Sequence, residues 1–285
     1  MSLSPMIVED IVRHALREDL GHGYDLTSQF VVDGAAEAGA KIVAKEDFIV
    51  AGLASALTAF ALTDPDIGAD IHKVDGEVAE SGDVILDIGG PAQAILTAER
   101  TALNFLAYLS GVASITHQFV SQIEDTNTKI VCIRKTMPGM RALQHDAVRS
   151  GGGYNHRFGL DNGILIKDNH IALAGSISEA LDNARKKAGP MVKIEIEVED
   201  KKQVEEVLKN GKADVILLDN MSVSDIAESM ELIDGALVTE ASGNVSLETV
   251  RAIAETGVDY ISIGALTHSA RFVNVGLDVH PLSES

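Results

Sequence analysis

Cysteine occurs once in the 285 residues, at Cys132, so no disulfide forms within the chain and no thiolate cluster holds a metal. A reducing cytoplasm suits that scarcity. Basic residues are also few: 23 Lys and Arg stand against 43 Asp and Glu, a formal charge of −20. Nucleic-acid binders need a basic stripe that releases counterions from phosphates, and this balance argues against such a partner. Long apolar runs are missing too. The uncharged run Phe48 to Leu62 is interrupted by Gly52, Ser55 and Thr58 and falls short of the ~20 residues that span a bilayer. It reads as a buried helix, and no membrane is expected. The first twenty residues include Glu9, Asp10, Arg13, Arg17, Glu18 and Asp19, the opposite of an export signal.

What is present is core: 46% of the residues are hydrophobic, which rules out disorder and a collagen-like chain. The length allows one large domain or two modest ones. Ile7, Ile11, Ala15 and Val8, Val12, Leu16 recur at helical spacing until Gly21 and Gly23, which predicts an opening amphipathic helix. Lys41–Val50 and Asp70–Leu96 alternate like strands, with turn signals at Asp75-Gly76, Ser81-Gly82-Asp83 and Gly89-Gly90-Pro91. These turns resemble those of lipoyl carriers, but no Lys sits where a cofactor would attach, so a structural sheet is expected. A helix is predicted over Glu99–Ile115.

From Lys129 the rhythm becomes βα, with strands expected at 129–134, 163–167, 192–198, 214–218, 236–240 and 259–263. Six such steps make a parallel sheet, either a complete or incomplete barrel or an open doubly wound sheet. Polar residues fall at the strand ends: Arg134 and Lys135, Lys167 and Asp168, Glu195 and Glu197, Asp219, Glu240 and Ser242, Ser262 and Gly264. A barrel gathers such ends around one mouth, which favours it.

Between residues 134 and 170 six Lys and Arg face three Asp, a basic island in an acidic chain. Local charge of this kind steers a small polyanion. Arg134 and Arg157 offer planar forks for carboxylate or phosphate, Lys135 and Lys167 offer point charges, and His156 follows the loop Gly151-Gly152-Gly153, flexible enough for backbone to approach a ligand. Arg141 and Arg149 read as ordinary helix-surface charges. Glu197 and Asp219 suit ribose hydroxyls or Mg²⁺; Glu195 and Glu199 share the period-2 face of Glu197, leaving open which of them point inward. Ser242-Gly243-Asn244, before a helix expected near Ser246, and the stretch from Ser262 and Gly264 to Ser269 offer backbone N–H groups to a phosphate.

The segments Ile133-Arg134-Lys135-Thr136, Met137-Pro138-Gly139, Gly151–Arg157 and Leu165–His170 together resemble the quinolinate phosphoribosyltransferases. So do Glu99–Asn104, Glu240–Gly243 and Gly264–Ser269, in the same order along nearly the whole chain. The resemblance implies an α/β protein: a sandwich-like N-terminal domain over 1–112, an incomplete β/α barrel over 113–269, and a 270–285 tail packing on the first. It implies a homodimer in which Arg100 reaches the partner's site. Arg134, His156, Arg157 and Lys167 would surround the pyridine dicarboxylate, with Lys135 near the phosphates of phosphoribosyl pyrophosphate (PRPP). Glu197 and Asp219 would face the ribose, with Mg²⁺ accompanying PRPP, and Ser242, Gly243, Gly264 and His268 the 5′-phosphate. The family carries Thr where this chain has Ile133. A Schiff-base aldolase using Lys167, a molybdate-associated relative and a binding regulator are the rival readings.

Overall fold

The computed structural model describes residues 3–282, so the last three residues of the tail lie outside it. Residue contacts divide the chain into two units that interleave along the sequence. One comprises the residues up to His117, Thr136–Gly152 and the segment from Leu266; the other comprises Gln118–Lys135 and Gly153–Ala265.

In the first unit α1 (Pro5–Leu20) buries Val8, Val12 and Leu16 at four-residue spacing and stops where Gly21 takes φ +56°. Asp25 caps the next helix, α2 (Leu26–Val31), by accepting the N–H groups of Thr27 and Ser28. Six residues carry too little periodicity to be foreseen. β1 (Glu37–Ala44) buries Ala38, Ala40, Ile42 and Ala44 and is followed by β2 (Phe48–Ile49). Here the single helix expected over Phe48–Leu62 is corrected: α3 begins only at Leu53 and ends at Thr63. The Ile49 and Ala51 amides donate to Ser114 and Ser110 hydroxyls, which fixes extended backbone. Gly52 then turns at φ +94°, and Asp75 Oδ1 accepts the Leu53 N–H at 3.1 Å, capping α3 from a distant loop.

β3 (Gly68–Ile71), β4 (Val78–Ala79) and β5 (Val84–Pro91) complete the early strands. β5 gives way directly to α4 (Ala92–Ser121), so Leu96 is helical and the helix is longer than the expected 99–115. Mid-helix Gly111 has a packing reason, since a Cβ there would lie 1.8 Å from the Arg271 carbonyl oxygen. β1 is paired antiparallel on both sides, with β5 and with the terminal strand Val275–Pro281, in a sheet ordered terminal strand, β1, β5, β3. α5 (Arg141–Ser150) also groups with this unit.

The second unit holds seven parallel strands: β6 (Lys129–Cys132), β7 (Tyr154–Asn155), β8 (Ile164–Ile166), β9 (Ile194–Val198), β10 (Val215–Asp219), β11 (Val238–Ser242) and β12 (Tyr260–Ser262). They pair in the order β7-β6-β12-β11-β10-β9-β8 and curl into an incomplete barrel with β7 and β8 at its edges. Two-residue β7 is the strand the rhythm does not predict. α6 (Asp168–Ala174), α7 (Ile177–Lys187), α8 (Lys201–Asn210), α9 (Val223–Ile233) and α10 (Val250–Ala254) connect the strands, and short α11 (Ala265–His268) leads out of the unit. Ile194, Ile196, Val198, Ile216 and Leu218 are fully buried on one face of the sheet, α7 packs on β8 and β9, and Val204 of α8 and Ile226 of α9 are buried as well. Among the described residues no helix is long and apolar enough to cross a membrane.

Candidate active site

Because the seven strands run parallel, their C-terminal ends share one side of the sheet. Arg134 and Lys135 follow β6, His156 and Arg157 follow β7, and Lys167 follows β8. Glu197 lies on β9, Asp219 ends β10, Ser242 ends β11 with Gly243 just after it, and Ser262 ends β12 with Gly264 two residues on. Arg100 on α4 and His268 on α11 belong to the first unit, where both are exposed and His268 Nδ1 lies 2.7 Å from Ser269 Oγ.

Strand alternation settles which β9 acids face inward. Ile194, Ile196 and Val198 take the apolar outer face, so Glu195 and Glu197 point to the interior, while Glu199 lies past the strand end and is exposed. Glu195 and Glu240, 7% and 4% exposed, flank His156. His156 Nε2 is 3.0 Å from Glu195 Oε2 and 3.5 Å from Glu240 Oε2. The Arg157 N–H donates to His156 Nδ1 at 2.7 Å, so Nε2 carries the hydrogen toward the carboxylates, and a proton on Nδ1 would have to displace that amide.

Two guanidiniums adjoin this trio. Arg134 Nε and Arg157 Nε are buried without a hydrogen-bond partner, and the two charges feel each other: burial first, then Arg134, lowers the Arg157 pKa. Arg157 is steadied by donating to the Gly163 carbonyl at 2.7 Å. Burial, then the Glu195 charge, pushes the Glu240 carboxyl up to about 7, eased by His156 and Ser262. Burial opposes charge on His156, but the bond to Glu195 and the charges of Glu240 and Glu195 outweigh it and raise its pKa. Carboxylates and imidazole also form a candidate metal-ligand set, their ligand atoms within 4.8 Å of one another, with the Arg157 guanidinium beside Glu195.

Nearer the opening, Lys167 Nζ pairs with Glu197 across adjacent strands, and the Lys167 N–H is accepted by His170 Nδ1 at 2.9 Å. Asp219 is aimed by a neighbour the sequence reading missed. Asn220, at φ +54°, donates from Nδ2 to Asp219 Oδ2 at 2.7 Å and from its backbone to the Ser242 carbonyl at 2.8 Å. A Cβ on Gly243, itself at φ +95°, would lie 2.2 Å from Asn220 Oδ1. The loops after β10 and β11 therefore interlock. An Asn beside a strand-end Asp, facing a Gly at the next strand end, was the available signal.

Two expectations about loops are corrected. The helix placed near Ser246 starts at Val250 and has only five residues, because 247–249 form a turn in which Thr249 Oγ1 accepts the Ser246 N–H. Gly151 serves packing within the first unit rather than a ligand: a Cβ there would lie 2.3 Å from the Ala113 carbonyl oxygen of α4. Ser262 is buried, and Cys132 donates to Asn155 Oδ1 with its thiol pushed up to about 11, first by burial, as an inert core group. Arg149 pairs with Asp146 on its own helix, matching its reading as a helix-surface charge, while half-buried Arg141 donates to Thr136 Oγ1.

Comparison with known proteins places the chain in one family. Residues 25–110 match the N-terminal domain and 112–278 the C-terminal domain of quinolinate phosphoribosyl transferase. The chain is 45% identical over 278 residues to the probable nicotinate-nucleotide pyrophosphorylase [carboxylating] of Bacillus subtilis (strain 168), covering 98% of this chain and 95% of that protein. It is 38% identical to quinolinate phosphoribosyltransferase [decarboxylating] 2, mitochondrial, of Nicotiana glauca, covering 95% and 82%. The structure of the nicotinate-nucleotide pyrophosphorylase from Francisella tularensis superposes with TM-score 0.93 at 36% identity, covering 98% of both chains. With both domains matched over most of its length, the chain belongs to the quinolinate phosphoribosyltransferase family.

Proposed function

We propose that this protein transfers the phosphoribosyl group of PRPP to the ring nitrogen of quinolinate, with loss of carbon dioxide, giving nicotinate mononucleotide and pyrophosphate in NAD biosynthesis. The observation that carries the reading is the Arg134–Arg157 pair, two half-buried guanidiniums at strand ends of a chain that belongs to this family. Two planar forks suit two carboxylates on one ring.

The chemistry needs no covalent enzyme nucleophile. The pyridine nitrogen attacks C1 of the ribose as the bond to pyrophosphate breaks, so C1 becomes oxocarbenium-like. Glu197 and Asp219, held by Lys167 and Asn220, supply negative charge for that centre and oxygen acceptors for ribose hydroxyls. Both are oxygen donors, the ligand type that Mg²⁺ prefers, and they would hold the Mg²⁺ that accompanies PRPP; bound there it would neutralise the leaving pyrophosphate. Arg134, Arg157 and Lys167 hold the dicarboxylate. His156 packs beneath them, with Nδ1 against the Arg157 amide and Nε2 against Glu195. Once the nitrogen is quaternised, the bond from C2 to its carboxylate breaks, carbon dioxide leaves, and a proton is taken up at C2. Transfer thus precedes decarboxylation, and the cations position rather than retain the departing group.

The further expectations belong to the same proposal: Lys135 near the phosphates, Ser242, Gly243, Ser262, Gly264 and His268 around the 5′-phosphate, a homodimer with Arg100 serving the partner's site, and a cytoplasmic location. The test is release of carbon dioxide from carboxyl-labelled quinolinate by purified protein with PRPP and Mg²⁺, run beside nicotinate. Release that requires both substrates supports the reading. Quinolinate bound without release, or product formed from nicotinate instead, overturns it.

A further inference from the structure

Gln144 of α5 is fully buried, yet it is not among the charged residues that the family pattern supplies. Its side-chain amide is used on both sides. Oε1 accepts the Met137 N–H at 2.8 Å, and Nε2 donates to the Thr267 carbonyl at 2.7 Å and to Tyr108 Oη at 2.6 Å. Tyr108 in turn donates to the same Thr267 carbonyl at 3.2 Å and lies against Phe272 with ring centroids 5.5 Å apart. The amide orientation is forced by its partners: a backbone N–H requires the oxygen, and a backbone carbonyl requires the nitrogen. A carboxylate would lose the donor and an alkyl chain would lose both, so only an amide of this length serves the site.

The two backbone groups belong to segments far apart in sequence, separated by 130 positions between Met137 and Thr267. One segment begins two residues after Lys135, and the other ends one residue before His268. We propose that Gln144 is a positioning residue for PRPP, whose single amide fixes both of these backbone segments and so sets where Lys135 and His268 stand. This rests on the proposed function, which assigns Lys135 and His268 to phosphates. It adds a shared support for the two. Arg134, one residue farther from Met137 than Lys135, and Arg157 are not among the partners of this amide, so quinolinate is not held by this bond network.

The experiment is steady-state kinetics of Gln144→Met with each substrate varied in turn, beside Val148→Ala as a stability control. Val148 is fully buried on the same helix, and its truncation loosens packing without removing any of these hydrogen bonds. Gln144→Met is expected to raise the KM for PRPP at least about tenfold, since small misplacements of binding groups are costly, while the KM for quinolinate stays within about twofold. Val148→Ala, with a comparable fall in Tm, should leave both constants at wild-type values. Equal rises in both constants for Gln144→Met, or none, overturn the proposal and leave Gln144 a packing residue. Should Gln144→Met not fold, Gln144→Glu keeps the length and the acceptor for Met137, and the same split is read from it. Hydrogen exchange on the wild type gives a further arm: PRPP, and not quinolinate, should slow exchange at 136–139 and 266–269 together, and independent behaviour of the two segments counts against the idea. Wild-type enzyme that releases no carbon dioxide with PRPP defeats the functional reading instead, which separates the two failures.

Discussion

Glu240 stands 3.5 Å from His156 Nε2 with almost no contact with water, and the carboxylate that shares this ring nitrogen, Glu195, is nearly as enclosed. Two acids around one imidazole, beneath two guanidiniums, cannot all be charged cheaply in a buried site. A proton is therefore kept in the group near neutrality.

The sign of the resulting pH dependence is fixed. Glu240 is raised from 4.5 to about 7, so between these values the folded state holds a proton that the unfolded chain has lost. Stability from this group is present at low pH and falls as pH rises toward 7. His156, also raised, acts in the same direction above 6.5. Urea unfolding of wild type should show decreasing stability from pH 5 to 7.5, and Glu240→Gln should flatten the slope. A steeper slope in the variant would contradict the assignment.

Lys167 and Glu197 form the cross-strand ion pair nearest the expected ribose. Each alone, as Lys167→Met or Glu197→Gln, should lower kcat by about 10²–10³-fold, the usual scale for removing one preorganised electrostatic partner. The double variant should lose far less than the product of the two, because one missing partner already misplaces the other. Strict additivity in single-turnover measurements would show that the two act separately.

Two glycines should fail differently. Gly243→Ala meets Asn220 Oδ1 at 2.2 Å and the Asn220 backbone nitrogen at 2.8 Å with an unfavourable φ of +95°, so Asn220 and Asp219 must shift, and the KM for PRPP should rise together with a fall in Tm. Gly151→Ala meets the Ala113 carbonyl of α4 at 2.3 Å, where backbone cannot yield, and should cost about 1–3 kcal/mol of stability. Its Tm should fall by several degrees while both KM values in the folded fraction hold. Calorimetry with kinetics on both variants distinguishes these outcomes.

Periodicity read the barrel well because its strands are buried hydrophobic runs ending in chemistry, and β9, β10, β11 and β12 all fall close to where the rhythm puts them. It failed at β7, whose two residues take their pairing from β6 rather than from any pattern of their own. It failed again over Phe48–Leu62, where hydroxyls of Ser110 and Ser114 on a distant helix hold extended backbone that local composition would coil. The charged strand-end residues were visible as types at positions. Asn220 and Gln144 were not, since a neutral amide becomes informative only when its partners are known. Gly151 looked like a ligand loop for a similar reason: glycine reports close approach, but not of what.

The pairing of the terminal strand Val275–Pro281 with β1 has a consequence for synthesis. A chain emerging from the ribosome presents β1 early, with its outer edge unpaired, and the strand that covers this edge follows every strand of the second unit. The second unit, by contrast, has all of its strands in hand once Ala265 has emerged. The sheet begun before the second unit is thus closed only after it, and truncation ahead of Val275 would leave the edge of β1 open while sparing every strand of the second unit.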